Sequence, residues 1–212
     1  MRFLPVVLLS LLPSMAFGDP WQRDAGRGFL SLSTMGGSAS FWLDRGLGNG
    51  RTLILSGFRS DRGELRLAAR LGQAVPSGRH PHLFALSLGI EARQDPATGR
   101  DLRVVPGAAW GMGLTAPMPG WVSARATLSL GPDARRSDVE AKLDATLGLR
   151  PTPSLMAIVQ LQTEHLDGRA HMHLAPSLVW EWRAGHHLEI GLRQPVVNGW
   201  DRQFKLGAWV HF

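Results

Sequence analysis

The sequence has no cysteine and no tyrosine, and lysine occurs only at positions 142 and 205. Without cysteine, a disulfide framework, a thiolate metal site and a thiol nucleophile are all excluded. After the first 18 positions no run of about 18 apolar residues occurs, which excludes a membrane-spanning helix there. Hydrophobic residues nevertheless make up 44% of the 212 residues, which is too many for a disordered chain.

The first 18 residues have the features of a secretory signal peptide. The start is positively charged, residues 3–12 are apolar, and Ala16 and Gly18 supply the small residues of a cleavage site. The apolar stretch is too short to cross the roughly 30 Å of a bilayer core, which argues against a membrane anchor. We therefore expect a signal peptide over 1–18 and a single mature domain over 19–212. An exported chain without cysteine fits the bacterial envelope.

Most of the chain after Gly28 alternates between apolar and polar residues, which is typical of β-strands. Between positions 138 and 150 one face holds only Val, Ala and Leu, while the other is mainly charged. Clusters of Gly, Pro, Asn and Asp separate about twelve such stretches. The number falls to ten if the weak stretches before Arg51 merge. The sequence therefore predicts an all-β protein.

Two hairpins allow the strand register to be predicted. Asp167-Gly168 is a two-residue turn signal, which sets Glu164 opposite His171. The hairpin that follows sets Glu181 opposite His187. In both hairpins polar residues meet polar residues and apolar residues meet apolar ones, which supports the predicted register.

The distribution of charge indicates that the apolar faces point to lipid. Charges stand in mid-strand on the polar faces, and from Leu83 onward the apolar faces are nearly free of them. The absence of charged residues from these faces is expected if the faces contact lipid, because a charge there would cost about 2–4 kcal/mol. Aromatic residues at predicted strand ends (Phe84, Trp121, Trp182 and Phe212) suggest a girdle at the periplasmic rim. We predict an antiparallel up-and-down transmembrane β-barrel, with a soluble β-sandwich as the alternative.

The last nine residues, FKLGAWVHF, alternate and end in Phe212. This ending resembles the terminal strand of bacterial outer-membrane β-barrel proteins. The resemblance implies that the barrel-assembly machinery recognises Phe212 and its strand. It also implies a location in the bacterial outer membrane, in contact with its lipid and lipopolysaccharide. No nucleic-acid partner is expected for an exported barrel, despite the net charge of +6.

The predicted connections alternate between the two ends of the barrel. With an even number of strands, both termini and one set of turns lie on the periplasmic side. The external loops are short, so none is expected to fold deep into the barrel. An N-terminal plug is not expected either, because only about ten residues precede the first strand.

Twelve charged residues on the polar faces are predicted to line the lumen. They are Arg66, Arg70, Arg93, Arg125, Glu140, Lys142, Asp144, Glu164, Glu181, Glu189, Arg193 and Lys205. The arginines suggest a small passive channel that favours anions. The alternative is a closed structural barrel in which these charges pair across the lumen.

An outer-membrane lipid-modifying enzyme is the remaining alternative. Ser177, His173 and Glu181 share one strand face, but Ser177 and His173 are about 13 Å apart along a strand, too far for a hydrogen bond. We therefore predict no catalytic residues. His171, His173 and Glu164 are weak candidates for a metal site, although polar filling of the lumen is the simpler interpretation. No cofactor is expected.

Overall fold

The protein is described by a computed structural model. It describes residues 20–78, 81–97, 99–132, 139–166, 169–198 and 202–212. The predicted signal peptide and the predicted turn at Asp167-Gly168 lie outside these residues. Within them, no helix is long and apolar enough to cross a membrane.

The described residues form thirteen strand segments, each antiparallel to the segments with which it pairs. They are β1 (Gly28–Met35), β2 (Ser38–Gly48), β3 (Arg51–Arg59), β4 (Leu65–Val75), β5 (His82–Asp95), β6 (Gly99–Val104), β7 (Gly107–Leu114), β8 (Gly120–Leu130), β9 (Val139–Thr152), β10 (Leu155–Leu166), β11 (Arg169–Arg183), β12 (His186–Val197) and β13 (Gln203–His211).

The sheet closes into a barrel because β1 pairs with β13 and β4 pairs with β5. Both β6 and β7 pair with β5 and with β8, so they form one strand with an interruption at Val105-Pro106. At this interruption the Pro106 carbonyl still accepts a hydrogen bond from Leu128 at 3.0 Å. The barrel thus has twelve strands. The prediction of twelve is confirmed, and the fallback of ten is wrong.

The predicted register is confirmed at both hairpins. Glu164 lies opposite His171, and Glu181 lies opposite His187. Because side chains alternate between the two sides of a strand, this register decides which residues face the interior.

The outside of the barrel is a hydrophobic surface. Leu88 and Ile190, for example, are 60% and 59% exposed. Exposed large apolar side chains occur on nearly every strand, which is the reverse of a soluble barrel. The predicted transmembrane fold, with its apolar faces outward, is confirmed.

One predicted member of the periplasmic girdle faces the other way. Trp121 is 1% exposed, whereas Phe84, Trp182 and Phe212 are about half exposed. Trp121 lies on the same face of β8 as Arg125, and its ring lies over Gly148. Its assignment to the girdle is therefore wrong. An aromatic residue near a strand end can face either lipid or the interior, and the alternation around Trp121 places it inside.

The half of the barrel that holds the two termini is packed with apolar side chains. Six buried residues form this interior cluster, and Trp21 and Trp42 pack against it; the six are Phe29, Trp121, Met156, Ile158, Val179 and Trp209. They come from β1, β8, β10, β11 and β13, so the cluster lines one side of the interior at this end. The opposite half contains most of the charged side chains.

Candidate lumen

A cavity of about 900 Å³ occupies the charged half of the barrel. It extends from the loop after β3, at Ser60–Arg62, down to Trp42, Arg70 and Arg125. Its charged lining residues are the six cations Arg62, Arg66, Arg70, Arg125, Lys142 and Arg193 and the seven acids Asp61, Glu64, Glu91, Asp95, Glu140, Asp144 and Glu164. The lining is close to neutral, so its arginines do not by themselves make the cavity positive.

Glu140 is the centre of the largest ion-pair network. It is 1% exposed. Its carboxylate forms ion pairs with Arg66 Nη1 at 2.7 Å, Arg93 Nη2 at 2.6 Å and Lys142 Nζ at 2.8 Å. Lys142 also pairs with Glu164 at 3.2 Å. Arg66 lies on β4 and Glu140 lies on β9, and three strands of the ring lie between them. The network therefore crosses the interior of the barrel.

Other predicted lumen charges are also paired. Arg125 lies 3.1 Å from Asp144, both partly buried. Lys205 donates to Glu189 at 2.8 Å, and Trp209 Nε1 donates to the second carboxylate oxygen of Glu189 at 3.2 Å.

Glu181 lies at the end of the barrel that holds the termini. There its carboxylate accepts the Gly185 N–H at 2.9 Å and lies 3.7 Å from His187 Nε2. Within the described chain, no hydrogen bond joins Ser177 to His173 or to Glu181, so these three side chains do not form the arrangement considered for an enzyme.

The histidines considered as metal ligands have other partners. Arg193 Nη2 lies 3.1 Å from His173 Nδ1, and the His171 ring contacts the Asn198 carbonyl. Glu164 lies opposite His171 in the register but pairs with Lys142. Among the described residues, no group of three or more His, Asp or Glu side chains is arranged to hold a metal ion.

Trp42 forms the floor of the cavity. The guanidinium groups of Arg70 and Arg125 each lie 4.9 Å from the centre of its ring. Such contacts between a cation and an aromatic ring are worth about 0.5–2 kcal/mol, depending on how far they are removed from water. Trp42 Nε1 donates in turn to Asp44 Oδ2 at 3.4 Å. These side chains separate the polar cavity from the apolar cluster.

Residues 20–27, which we call the N-terminal strap, enter the barrel below this floor: residues 20–23 are buried or partly buried inside it, and residues 24–27 are exposed. Arg23 Nε donates to Asp44 Oδ1 at 2.7 Å, and the Arg23 N–H donates to Thr52 Oγ1 at 3.2 Å. Asp44 and Thr52 are fully buried. The Arg23 guanidinium also lies 5.1 Å from the centre of the Phe29 ring.

Two inward-facing glycines give the strap its space. A Cβ at Gly46 would lie 2.1 Å from the Asp24 carbonyl oxygen, and one at Gly111 would lie 2.5 Å from Pro20 Cγ. The expectation that no N-terminal plug forms is therefore wrong. A strap of eight residues can extend to roughly 26 Å, which is long enough to enter the barrel. The sequence signal that we missed is Asp44, an inward carboxylate next to the inward Gly46.

No protein-family model matches this chain. No curated protein matches it either. Solved structures are similar to it in fold. The KdgM porin has a TM-score of 0.64 at 8% sequence identity, over 88% of this chain and 99% of that one. The COG4313 outer membrane channel from Pseudomonas putida F1 has a TM-score of 0.62 at 14% identity, over 93% and 100% of the two chains. The NanC porin has a TM-score of 0.56 at 12% identity, over 86% and 98%.

At these identities the likeness concerns the fold alone. The compared chains are covered almost completely, so the similarity extends to the whole barrel rather than to a shared hairpin. The chain has the fold of the porin-like outer-membrane β-barrels.

Proposed function

We propose that the protein is a small passive channel for hydrophilic solutes in the bacterial outer membrane. The observation that carries this proposal is the polar cavity of about 900 Å³ inside a closed barrel whose outer surface is apolar. Polar side chains and water are stable there because the wall shields them from lipid. The porins and channels of similar fold support the proposal, and no catalytic arrangement among the described residues favours an enzyme.

The near-neutral lining revises the selectivity expected from the arginines. Six cations and seven acids face the cavity, so neither sign of ion should be strongly excluded. With the chain refolded into a planar bilayer under a roughly tenfold KCl gradient, we expect a reversal potential below about 20 mV. An ideally selective pore would give about 59 mV. A potential near that limit would contradict the charge-balanced lumen.

A closed structural barrel is the second candidate function. The ion pairs that cross the interior at Glu140 and the packed half of the barrel favour it. The absence of conductance in every salt tested, from folded wild type and from a folded variant that lacks residues 20–25, would support the structural barrel and rule out the channel.

We also propose that Phe212 is the assembly signal of this barrel. Its N–H donates to the Gly28 carbonyl at 3.0 Å, its carbonyl accepts the Gly28 N–H at 2.6 Å, and its ring covers Gly28. These contacts lie at the seam between β1 and β13, the first and last strands.

Deleting Phe212 should therefore lower the amount of assembled barrel severalfold, because the chain loses the seam contacts together with the terminal aromatic residue. Outer-membrane fractionation and heat-modifiable migration in gels measure that amount. Phe204→Ala is the control, because Phe204 is 75% exposed at the other end of the same strand and should assemble normally. Normal assembly without Phe212 would rule out its role as the signal.

A further inference from the structure

We propose that the N-terminal strap is a gate that closes the lumen at the end holding the termini, and that the buried Arg23–Asp44 pair is its latch. The inference rests on the proposed channel function. In the closed state the strap and the apolar cluster fill this half of the barrel. In the open state the strap leaves the interior and lets the polar cavity connect to the other side.

The position of the strap supports the gate. The lining of the polar cavity ends at Trp42, Arg70 and Arg125. Directly below, Trp42 donates a hydrogen bond to Asp44, and Asp44 forms an ion pair with Arg23. Trp21 packs against the apolar cluster. The strap therefore lies on the line that a solute would have to follow through the barrel.

The barrel wall does not depend on the strap. Every neighbouring pair of strands in the ring is hydrogen-bonded without a residue from 20–27. The strap joins the wall at its end, where the Gly26 N–H donates to the Gly46 carbonyl and the Gly46 N–H donates to the Arg27 carbonyl. The strap can thus move away from the lumen without breaking the sheet.

The strap is also held incompletely. Neither polar atom of the Gln22 side chain has a hydrogen-bond partner among the described residues. Residues 24–27 are exposed, and Gly26 has a φ of 79°, so a turn outside the interior connects residues 20–23 to β1. The buried Arg23–Asp44 pair is the ion pair that holds residues 20–23 to β2.

The first test of the gate is single-channel recording of the full-length barrel with the latch removed. Asp44→Asn should raise the open probability by about tenfold or more, because Arg23 would keep a buried charge without its carboxylate. Asp24→Asn is the matched control, since Asp24 is an exposed carboxylate on the same strap, and its open probability should not change. The charge-swapped pair Arg23→Asp with Asp44→Arg should return the open probability toward the wild-type value.

Deleting residues 20–25 tests the gate without altering the wall. This variant should conduct continuously, at a higher level than the wild type. An unchanged conductance in the deletion variant would overturn the gate while leaving the channel intact. If the folded deletion variant and the folded wild type are both silent, the channel proposal itself fails.

Thiol labelling provides a readout that does not depend on conduction, because the chain contains no cysteine. Gln22→Cys should react slowly with a polar maleimide, whereas Ala25→Cys, at an exposed position, should react fast. Adding Asp44→Asn should accelerate labelling at position 22 by about tenfold or more and leave position 25 unchanged. Fast labelling at position 22 with the latch intact would show that the strap is not docked, and would overturn the proposal.

Discussion

Replacing Glu140 by glutamine is expected to lower the free energy of unfolding by about 3 kcal/mol. Glu140 is 1% exposed and is shared by Arg66, Arg93 and Lys142, so the substitution removes one negative charge from three cations. Removing one partner of a buried ion pair costs about 3–5 kcal/mol. The lower end of this range applies because each cation keeps a second acid nearby.

Urea titration of the barrel in lipid, followed by tryptophan fluorescence, measures this change. Glu164→Gln is the matched control on the neighbouring strand, because Glu164 is 28% exposed and pairs with Lys142 at 3.2 Å and with Arg66 only at 4.0 Å. We expect the control to cost less than about 1 kcal/mol, as for other partly exposed pairs. Equal losses from the two substitutions would show that Glu140 is not the centre of the network.

Replacing Gly148 by alanine is expected to destabilise the barrel by about 2 kcal/mol or to prevent its assembly. An added Cβ would lie 2.1 Å from the Trp121 ring, which is buried in the apolar cluster. Overpacking a filled core costs about 1–3 kcal/mol, because neighbouring side chains must leave their preferred rotamers. A tryptophan ring packed on several sides has little room to move.

Gly72→Ala is the control for this substitution. Gly72 also faces the interior from a strand. A Cβ added there would lie 3.5 Å from the nearest atom, which is an ordinary contact distance. We expect its midpoint of unfolding to stay close to that of the wild type. In a double-mutant cycle, Gly148→Ala should cost less in the Trp121→Leu background than in the wild type, because the smaller side chain leaves space for the methyl group. An equal cost in both backgrounds would show that the contact with Trp121 is not the cause.

Prediction from the sequence succeeded where the pattern was local and repeated. The alternation in each strand, together with the turn residues, was sufficient for the twelve strands, their register at two hairpins and the outward direction of the apolar faces. The inward positions of Glu140 and Lys142 follow from the same alternation. Their partners do not, because Arg66 lies more than seventy positions earlier in the chain.

The errors concern contacts that cross the interior of the barrel. The alternation around Trp121 points it inward, but its position near a strand end is equally typical of a rim residue. For the strap the local signal is a single inward carboxylate, Asp44, which does not by itself identify its partner Arg23. The lumen arginines likewise suggest a channel that favours anions, whereas the cavity is lined by six cations and seven acids. The net charge of the cavity lining depends on which side chains the closed barrel brings together.

The sequence by itself determined the barrel, because the two-residue period of a strand sorts each side chain to lipid or to the interior independently of distant residues. Only the tertiary structure decided how the interior is divided into a polar cavity, an apolar cluster and a docked N-terminal strap. The physical reason is that closing the barrel brings strands far apart in sequence to within a few ångströms. The ion pairs at Glu140 and at Asp44, and the packing of Trp121 on Gly148, form only after that closure.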